Sequence, residues 1–169
     1  MEESKKFITS IEEEPEKSQL EKINMPRLYK QMLLDQISIE GQSRLGEAKV
    51  LVIGAGGVGS SALFYLVAAG IRTIGIVDGD FIDLSNLNRQ ILHTSARIGE
   101  NKASSAQQTL LQFTPDPTIK TYPFFLSKEN AEEIISSYDI VLDASDNPST
   151  RYLVNDAAIL QKVIHLLLS

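Results

Sequence analysis

The sequence predicts an α/β fold in which a mostly parallel sheet carries helices on both faces. Three observations predict it: apolar segments of strand length alternate with helical segments, the apolar segments are rich in β-branched residues, and glycines stand at the junctions. Strands that alternate with helices are typical of parallel sheets, and right-handed crossovers place the helices on both faces. The length of 169 residues suits one such domain.

Residues 1–25 lie outside this pattern. They contain seven Glu and four Lys, a net charge of −3 that is half of the chain's −6. Because they show little apolar periodicity and Pro15 would interrupt a helix, we expect a flexible acidic tail, with a docking arm as the alternative. The domain then covers residues 26–169.

A first helix is expected to begin at Pro26, since proline fits the first helical turn. Leu28, Met32 and Leu33 form its apolar stripe, and Gly41 is expected to end it.

The later elements follow from apolar runs and from the glycines and prolines at their ends. Lys49–Ile53 is almost continuously apolar, which predicts a strand buried on both faces. Further strands are predicted over residues 73–77, 119–124, 140–142 and 163–168, and helices over residues 58–69, 101–113, 128–137 and 148–160.

The composition excludes several classes of protein. A chain with 22 acidic and 16 basic residues is a poor general binder of nucleic acid or anionic membrane. The absence of cysteine excludes disulfides, thiolate zinc ligands and a cysteine nucleophile within these residues. The N-terminus carries no apolar signal region, so a cytoplasmic location is expected.

A glycine-rich turn joins the first strand to the next helix. Gly54-Ala55-Gly56-Gly57-Val58-Gly59 has the G-x-G-x-x-G spacing, in which glycines allow a tight turn and a close approach of backbone to ligand. Asp78 ends the second strand, where a carboxylate can reach a ribose hydroxyl. The sequence therefore predicts a Rossmann-like nucleotide site but does not distinguish NAD, FAD and ATP.

Two cations favour ATP among these nucleotides. Arg89 closes a polar stretch beyond the second strand, and Lys102 stands near the start of the following helix. A dinucleotide needs little fixed positive charge, whereas a reacting α-phosphate and a leaving pyrophosphate need cationic donors.

The fourth strand ends in further polar residues. Asp143 and Asp146 could hold Mg²⁺, which binds one or two carboxylates together with substrate phosphates. Alternatively, Asp146 or Asn147 caps the helix that begins at Pro148. The sequence leaves both possibilities open.

These motifs together resemble one family. GAGGVG, VDGDFIDLSNLNRQ, Lys102 and LDASDN with the later RYLVNDA resemble the MoeB/ThiF/ubiquitin-activating superfamily over about residues 27–162, and its branch that serves molybdopterin synthesis and tRNA thiolation in particular. The resemblance implies an ATP-dependent adenylyltransferase that activates the C-terminal Gly-Gly carboxylate of a ubiquitin-like sulfur carrier and releases pyrophosphate. It also implies a homodimer and the cofactors ATP and Mg²⁺.

The resemblance implies roles for particular residues. Arg89, Lys102 and Asp146 would be catalytic, with Asp146 holding Mg²⁺, and Lys30 would contact the ATP of the partner subunit. The nucleotide would be bound by Gly54, Gly56, Gly57, Gly59, Asp78, Ser85, Asn86, Leu87, Asn88, Arg89, Lys102, Asp146 and Asn147.

The chain departs from the family pattern in two respects. Lys30 replaces an arginine and so loses the planar bidentate fork, although it keeps the charge. The family's substrate-binding sheet, its paired CxxC zinc ligands and its reactive cysteine are also missing. We therefore expect a C-terminally incomplete member whose last strand is an exposed apolar edge.

Two other functions remain open: a non-catalytic module that binds nucleotide or dimerises, and an NAD(P)-dependent oxidoreductase. Several residues are expected to be purely structural. His93 and His165 are interpreted as structural histidines whose hydrogen bonds are satisfied, Ser60-Ser61 as helix packing, and the aromatic residues of the third strand as core: Tyr122, Phe124 and Phe125.

Overall fold

The computed structural model describes residues 25–168, which divide into two compact units on either side of the Glu47–Ala48 junction. The predicted acidic tail lies outside the described residues, except for the backbone of Met25. No described helix is long and apolar enough to cross a membrane.

The first unit is a pair of helices, α1 (Met25–Met32) and α2 (Ser38–Glu47). The prediction of one helix ended by Gly41 is wrong, because the chain turns between them and Gly41 lies inside α2. The backbone N–H groups of Ile37 and Ser38 both donate to Leu34 O at 2.9 Å, and Ser38 has a left-handed φ of 53°. This turn breaks the helical register that the apolar stripe suggested.

The second unit is a five-stranded parallel sheet with the order β3-β2-β1-β4-β5. Its strands are β1 (Lys49–Ile53), β2 (Thr73–Val77), β3 (Thr118–Tyr122), β4 (Ile140–Asp143) and β5 (Ile164–Leu167). Its helices are α3 (Gly57–Ala69), α4 (Lys102–Phe113), α5 (Ala131–Ile135) and α6 (Pro148–Gln161). The predicted α/β class and parallel sheet are confirmed.

The predicted end of α3 and the predicted start of α4 agree with the structure, because a glycine and a cap residue fix them. Gly70 ends α3 with a left-handed φ of 95°, and Asn101 caps α4 by accepting from Ser104 N. β3 is shorter than predicted because Pro123 has no N–H to donate to a sheet. α5 begins later than predicted because the Asn130 side chain accepts from Ser127 N at 2.9 Å and forms a local turn instead.

The core lies around the central strand. Residues Val50 to Ile53 of β1 are at most 3% exposed, since helices cover both faces of the sheet. β5 is an edge strand, and its Ile164 and Leu167 are more than half exposed. The strand order brings the carboxyl ends of β1, β2 and β4 together, and these ends position the candidate site.

Candidate functional site

A cavity of about 310 Å³ opens at the carboxyl ends of the central strands. Such crevices are the usual ligand sites of open α/β sheets, and this volume is in the range of small-molecule sites. Eight of the predicted site residues line it: Gly54, Gly56, Gly57, Asp78, Arg89, Lys102, Asp146 and Asn147.

The glycine loop has two kinds of glycine. Gly54 has a left-handed φ of +94°, and an added Cβ would lie 2.9 Å from Ala144 O. A Cβ on Gly59 would lie only 1.8 Å from Gly54 O, so this residue lets α3 pack against the strand rather than lining the cavity. Gly56 and Gly57 have room for a Cβ, at 3.7 and 3.6 Å from the nearest atoms, but they line the cavity.

The N-terminus of α3 faces this loop. Its N-cap residue is Gly56, which has no side chain that could accept a hydrogen bond from the first helical turn. The N–H groups of a first helical turn and the helix dipole together favour a bound anion.

Asp78 and His93 hold Ala55 from both sides. Asp78 accepts from Ala55 N at 2.7 Å and from Asp80 N at 2.8 Å, while His93 Nε2 lies 2.9 Å from Ala55 O. Burial raises the pKa of Asp78, although the hydrogen bond from Ala55 opposes the shift. Burial lowers the pKa of His93, although the hydrogen bond to Ala55 O opposes this shift, and the neutral ring is therefore favoured.

The hydrogen bonds of His93 define its tautomer. Because a carbonyl only accepts, Nε2 carries the proton, and Nδ1 accepts from Ser105 Oγ at 3.1 Å. His93 is therefore a satisfied, buried structural histidine, as the sequence predicted, and it fixes the backbone of the glycine loop.

The two predicted cations are held differently. Lys102 is nearly buried, with its side chain 9% exposed, and its Nζ lies 3.0 Å from Asp80 Oδ2. Arg89 is exposed, and its Nη1 donates to Ser85 O and to Asn88 Oδ1 at 3.2 and 2.9 Å. Both side chains reach the cavity, so positive charge stands beside the glycine loop.

Besides Gly59, four residues predicted in the polar stretch after β2 do not line the cavity: Ser85, Asn86, Leu87 and Asn88. Ser85 and Asn86 belong to the short 3₁₀ turn Leu84–Asn86, and Leu87 is its C-cap. Asp83 caps the start of the turn by accepting from Ser85 N, while Asp83 N donates to Asn86 Oδ1. Hydrogen bonds from Ser85 lower the pKa of Asp83. The turn shapes the backbone that presents Arg89.

The carboxylates after β4 are separated in space. Asp143 is fully buried, accepts from Ser145 N at 2.9 Å and does not line the cavity. Asn147 caps α6 by accepting from Thr150 N at 2.8 Å. The sequence left open whether Asp146 or Asn147 caps α6, and the structure gives this role to Asn147. Asp146 is exposed, and its carboxylate lines the cavity.

His165 is half-buried beside Asp143, with its Nε2 at 3.7 Å from Asp143 Oδ2. This position agrees with a structural role, but the prediction of a satisfied histidine is wrong for His165, because its buried Nε2 has no hydrogen-bond partner among the described residues. Ser60 is buried near the start of α3, and its Oγ lies 3.4 Å from Ala55 O, which agrees with the predicted packing role. Ser61 is exposed, so the packing prediction is wrong for that residue.

The prediction for the aromatic residues is right for Tyr122 alone. Tyr122 is 7% exposed and hydrogen-bonded to Tyr138, whereas Phe124 and Phe125 are 41% and 65% exposed. Both phenylalanines line the cavity. The strand ends at Tyr122, so the alternation used in the prediction no longer applies to them.

Sequence reasoning also missed the role of Asp80 and gave none to Gln90. Asp80 pairs with Lys102 across 22 positions, which no local pattern reveals. Gln90 is 5% exposed and lines the cavity, with its Oε1 buried and without a hydrogen-bond partner. Its position in the polar stretch before Ile91 was the only available signal.

Comparisons with known proteins agree with this geometry. The sequence model of the ThiF family matches residues 28–166. A sulfur carrier protein adenylyltransferase of Thermus thermophilus is 50% identical over 139 residues, which are 82% of this chain and 51% of that protein. An adenylyltransferase and sulfurtransferase UBA4 of Vanderwaltozyma polyspora is 52% identical over 79% of this chain and 31% of that protein.

A solved structure shares the fold. The Escherichia coli tRNA N6-threonylcarbamoyladenosine dehydratase TcdA, crystallised with ATP, matches with a TM-score of 0.78 and 25% identity over 84% of this chain and 58% of that one. The chain spans about half the length of the Thermus relative and less than a third of the UBA4 proteins it matches, such as that of Aspergillus terreus at 28%. The family match covers the whole cavity, and the chain belongs to the ThiF family.

Proposed function

We propose that this chain is the nucleotide-binding part of an ATP-dependent adenylyltransferase that activates the C-terminal Gly-Gly carboxylate of a ubiquitin-like sulfur carrier. The observation that carries the proposal is the cavity itself. One crevice combines bare glycine backbone at a helix N-terminus with Arg89, Lys102 and the carboxylate of Asp78. The names of the Thermus and fungal relatives support the same reaction.

The proposed reaction needs no nucleophile from the protein. A carboxylate oxygen of the carrier attacks the α-phosphorus of ATP, the bond to the bridging oxygen of the β-phosphate breaks, and pyrophosphate leaves with that bond pair. Arg89 and Lys102 would stabilise the negative charge that grows on the phosphoryl and pyrophosphate oxygens. Asp80 already holds the Lys102 ammonium at the cavity, so little side-chain conformational freedom is lost when a triphosphate binds.

The donor set suits Mg²⁺ and does not suit zinc. Asp146 is an exposed carboxylate on the cavity wall, and Mg²⁺ is commonly held by one or two carboxylates together with substrate phosphates. When bound, the ion would neutralise phosphate charge. The family's zinc needs thiolates, and the sequence has no cysteine.

The partners are proposed on the same basis. The chain would act as a homodimer in which Lys30 reaches the ATP of the other subunit. Lys30 lies on the exposed side of α1, with its Nζ 5.4 Å from the centre of the Tyr29 ring. A cytoplasmic location is part of the proposal.

The test is carrier-dependent exchange of pyrophosphate into ATP, with a recombinant ubiquitin-like carrier that ends in Gly-Gly. We expect Arg89→Gln and Lys102→Met each to lower exchange by about 10²-fold, the usual loss for one charge-stabilising donor. Arg44→Gln is the matched control, since Arg44 is 77% exposed and pairs with Glu40 in α2.

Each alternative gives its own result. ATP binding without exchange would identify a non-catalytic nucleotide-binding module. Tighter binding of NADH than of ATP with Mg²⁺ would identify an oxidoreductase and refute the proposal.

A further inference from the structure

Two phenylalanines at the end of β3 are exposed where the sequence predicts core. Phe124 and Phe125 directly follow Pro123, and both side chains form part of the cavity wall. A large aromatic side chain that is 65% exposed, as Phe125 is, loses the stabilisation that burial would give it. An exposed aromatic pair inside a cavity indicates a surface for a ligand.

The rings of Phe124 and Phe125, called the aromatic wall below, are held in place by their neighbours. A Cβ on Gly79 would lie 2.7 Å from Cδ2 of Phe125, so the ring lies directly on the Gly79 backbone. The Phe124 ring meets the Tyr122 ring edge to face, with 6.0 Å between ring centres. Tyr122 is itself buried and hydrogen-bonded to Tyr138. The two rings are therefore positioned before any ligand binds, which reduces the entropy lost on binding.

The strand order places this wall at a definite distance from the charged end of the cavity. The glycine loop follows β1, Asp78 follows β2, and the two phenylalanines follow β3 after Pro123, and the three strands are neighbours in that order across the sheet. Adjacent strands are about 4.8 Å apart, so the aromatic wall lies roughly 10 Å from the glycine loop. A ligand whose phosphates lie at β1 and whose ribose lies at β2 would bring its base to β3.

The wall differs chemically from the rest of the cavity. Arg89 lies beside the glycine loop, 3.6 Å from the position of a Cβ on Gly57, and Lys102 is paired with Asp80 just beyond β2. The residues that follow β3 contribute instead the two rings and Leu126. Aromatic faces bind nucleobases by stacking, and the energy is similar for different bases because every base has a π-face.

We infer that Phe124 and Phe125 form the nucleobase-binding wall of the cavity and supply affinity for ATP by stacking. The inference rests on the proposed function, because it assumes that a nucleotide binds here. Stacking would add to the affinity for nucleotides in general, since every base has a π-face, and the rings would make no contribution to binding of the phosphate chain.

The experiment separates the base from the phosphates. The full chain is titrated with ATP, with inorganic tripolyphosphate, and with 2-aminopurine ribonucleoside triphosphate, whose fluorescence falls when its base stacks. In the Phe124→Ala/Phe125→Ala variant we expect ATP affinity to fall about 5- to 150-fold, tripolyphosphate affinity to stay unchanged, and the fluorescence quenching to disappear.

Two further variants distinguish stacking from general packing. Phe124→Leu/Phe125→Leu keeps an apolar wall without a π-face and should still lose the quenching. Phe124→Tyr/Phe125→Tyr should restore both quenching and affinity. Tyr65→Ala is the matched control, because Tyr65 is 77% exposed and does not line the cavity.

The outcomes separate this inference from the proposed function. If the unmodified chain binds ATP and the alanine and leucine variants bind it equally well, the wall does not hold the base, although ATP binding stands. If those variants need more carrier but no more ATP, the rings serve the carrier and the inference is overturned. If the unmodified chain binds no nucleotide at all, the proposed function fails and the inference fails with it. Thermal unfolding of each variant confirms that the fold is retained.

Discussion

Two glycines of one loop should respond in opposite ways to the same substitution. A Cβ on Gly59 would lie 1.8 Å from Gly54 O and 2.8 Å from Gly54 C, where ordinary contact begins at about 3.4 Å. The overlap of roughly 1.6 Å is with backbone, which cannot rotate away, so α3 must move from β1. We expect Gly59→Ala to cost about 3 kcal/mol or more, the upper end of the range for overpacking.

Gly57→Ala should leave the fold intact and weaken the ligand instead. Its Cβ would lie 3.6 Å from Arg89 Cγ, an ordinary contact, and alanine is the better helix former at the start of α3. The added methyl group would, however, lie at the cavity wall, where the loop N–H groups are proposed to donate to phosphate oxygens. Loss of one charge-assisted hydrogen bond corresponds to about a 10- to 150-fold loss of ATP affinity.

Urea unfolding and ATP titration of both variants provide the assay. A loss of about 3 kcal/mol in Gly59→Ala would lower the unfolding midpoint by roughly 1–3 M urea. The assignment of one glycine to packing and the other to ligand would be refuted if Gly59→Ala unfolded at the same urea concentration as the unmodified chain. It would equally be refuted if Gly57→Ala bound ATP normally.

Three further predictions concern the loop support, the β4 end and the first helix. Because the pKa of His93 is lowered in the folded state, its contribution to stability is present above about pH 6.5 and is lost as the pH falls through the folded-state pKa. The free energy of unfolding then changes by at most about 1.4 kcal/mol per pH unit. His93→Gln should flatten this pH dependence, as measured by urea unfolding between about pH 5 and 8. Asn147→Ala should lower the free energy of unfolding by about 1 kcal/mol, because it removes the α6 cap. Asp146→Ala should leave the urea midpoint unchanged and lower the Mg²⁺-dependent exchange of pyrophosphate into ATP. Equal effects of the two substitutions on stability would contradict the separation of the two roles. Lys30→Arg should raise the exchange rate severalfold, because a guanidinium binds phosphate through two donors, and an unchanged rate would count against a contact with the partner's ATP.

Local patterns located most elements of the second unit. β1 and β2 have their predicted bounds, because short segments rich in β-branched residues are typical of strands. Gly70 and Asn101 ended and began helices as expected, since each acts on the turn next to it. The glycine motif was readable for the same reason, since its backbone requirements lie within six residues.

The prediction is wrong where an apolar pattern continues in the sequence beyond the end of the helix or strand that it indicates. The apolar stripe of α1 does not continue through the turn at residues 33–37, and Ser38, the first residue of α2, adopts a left-handed backbone. The alternation of β3 ends at Tyr122, so Phe124 and Phe125 are exposed rather than buried. In both cases the sequence showed the right residue types and the wrong register.

The sequence by itself determined the fold class, the glycine loop and the types of charged group available for a site, because these depend on periodicity and short-range spacing. Only the tertiary structure decided which of those groups meet. It paired Asp80 with Lys102, bound His93 to Ala55 across 38 positions, and moved Asp143 out of the cavity that Asp146 lines. The physical reason is that these contacts follow from strand order and crossover packing, which bring together residues that no local pattern connects.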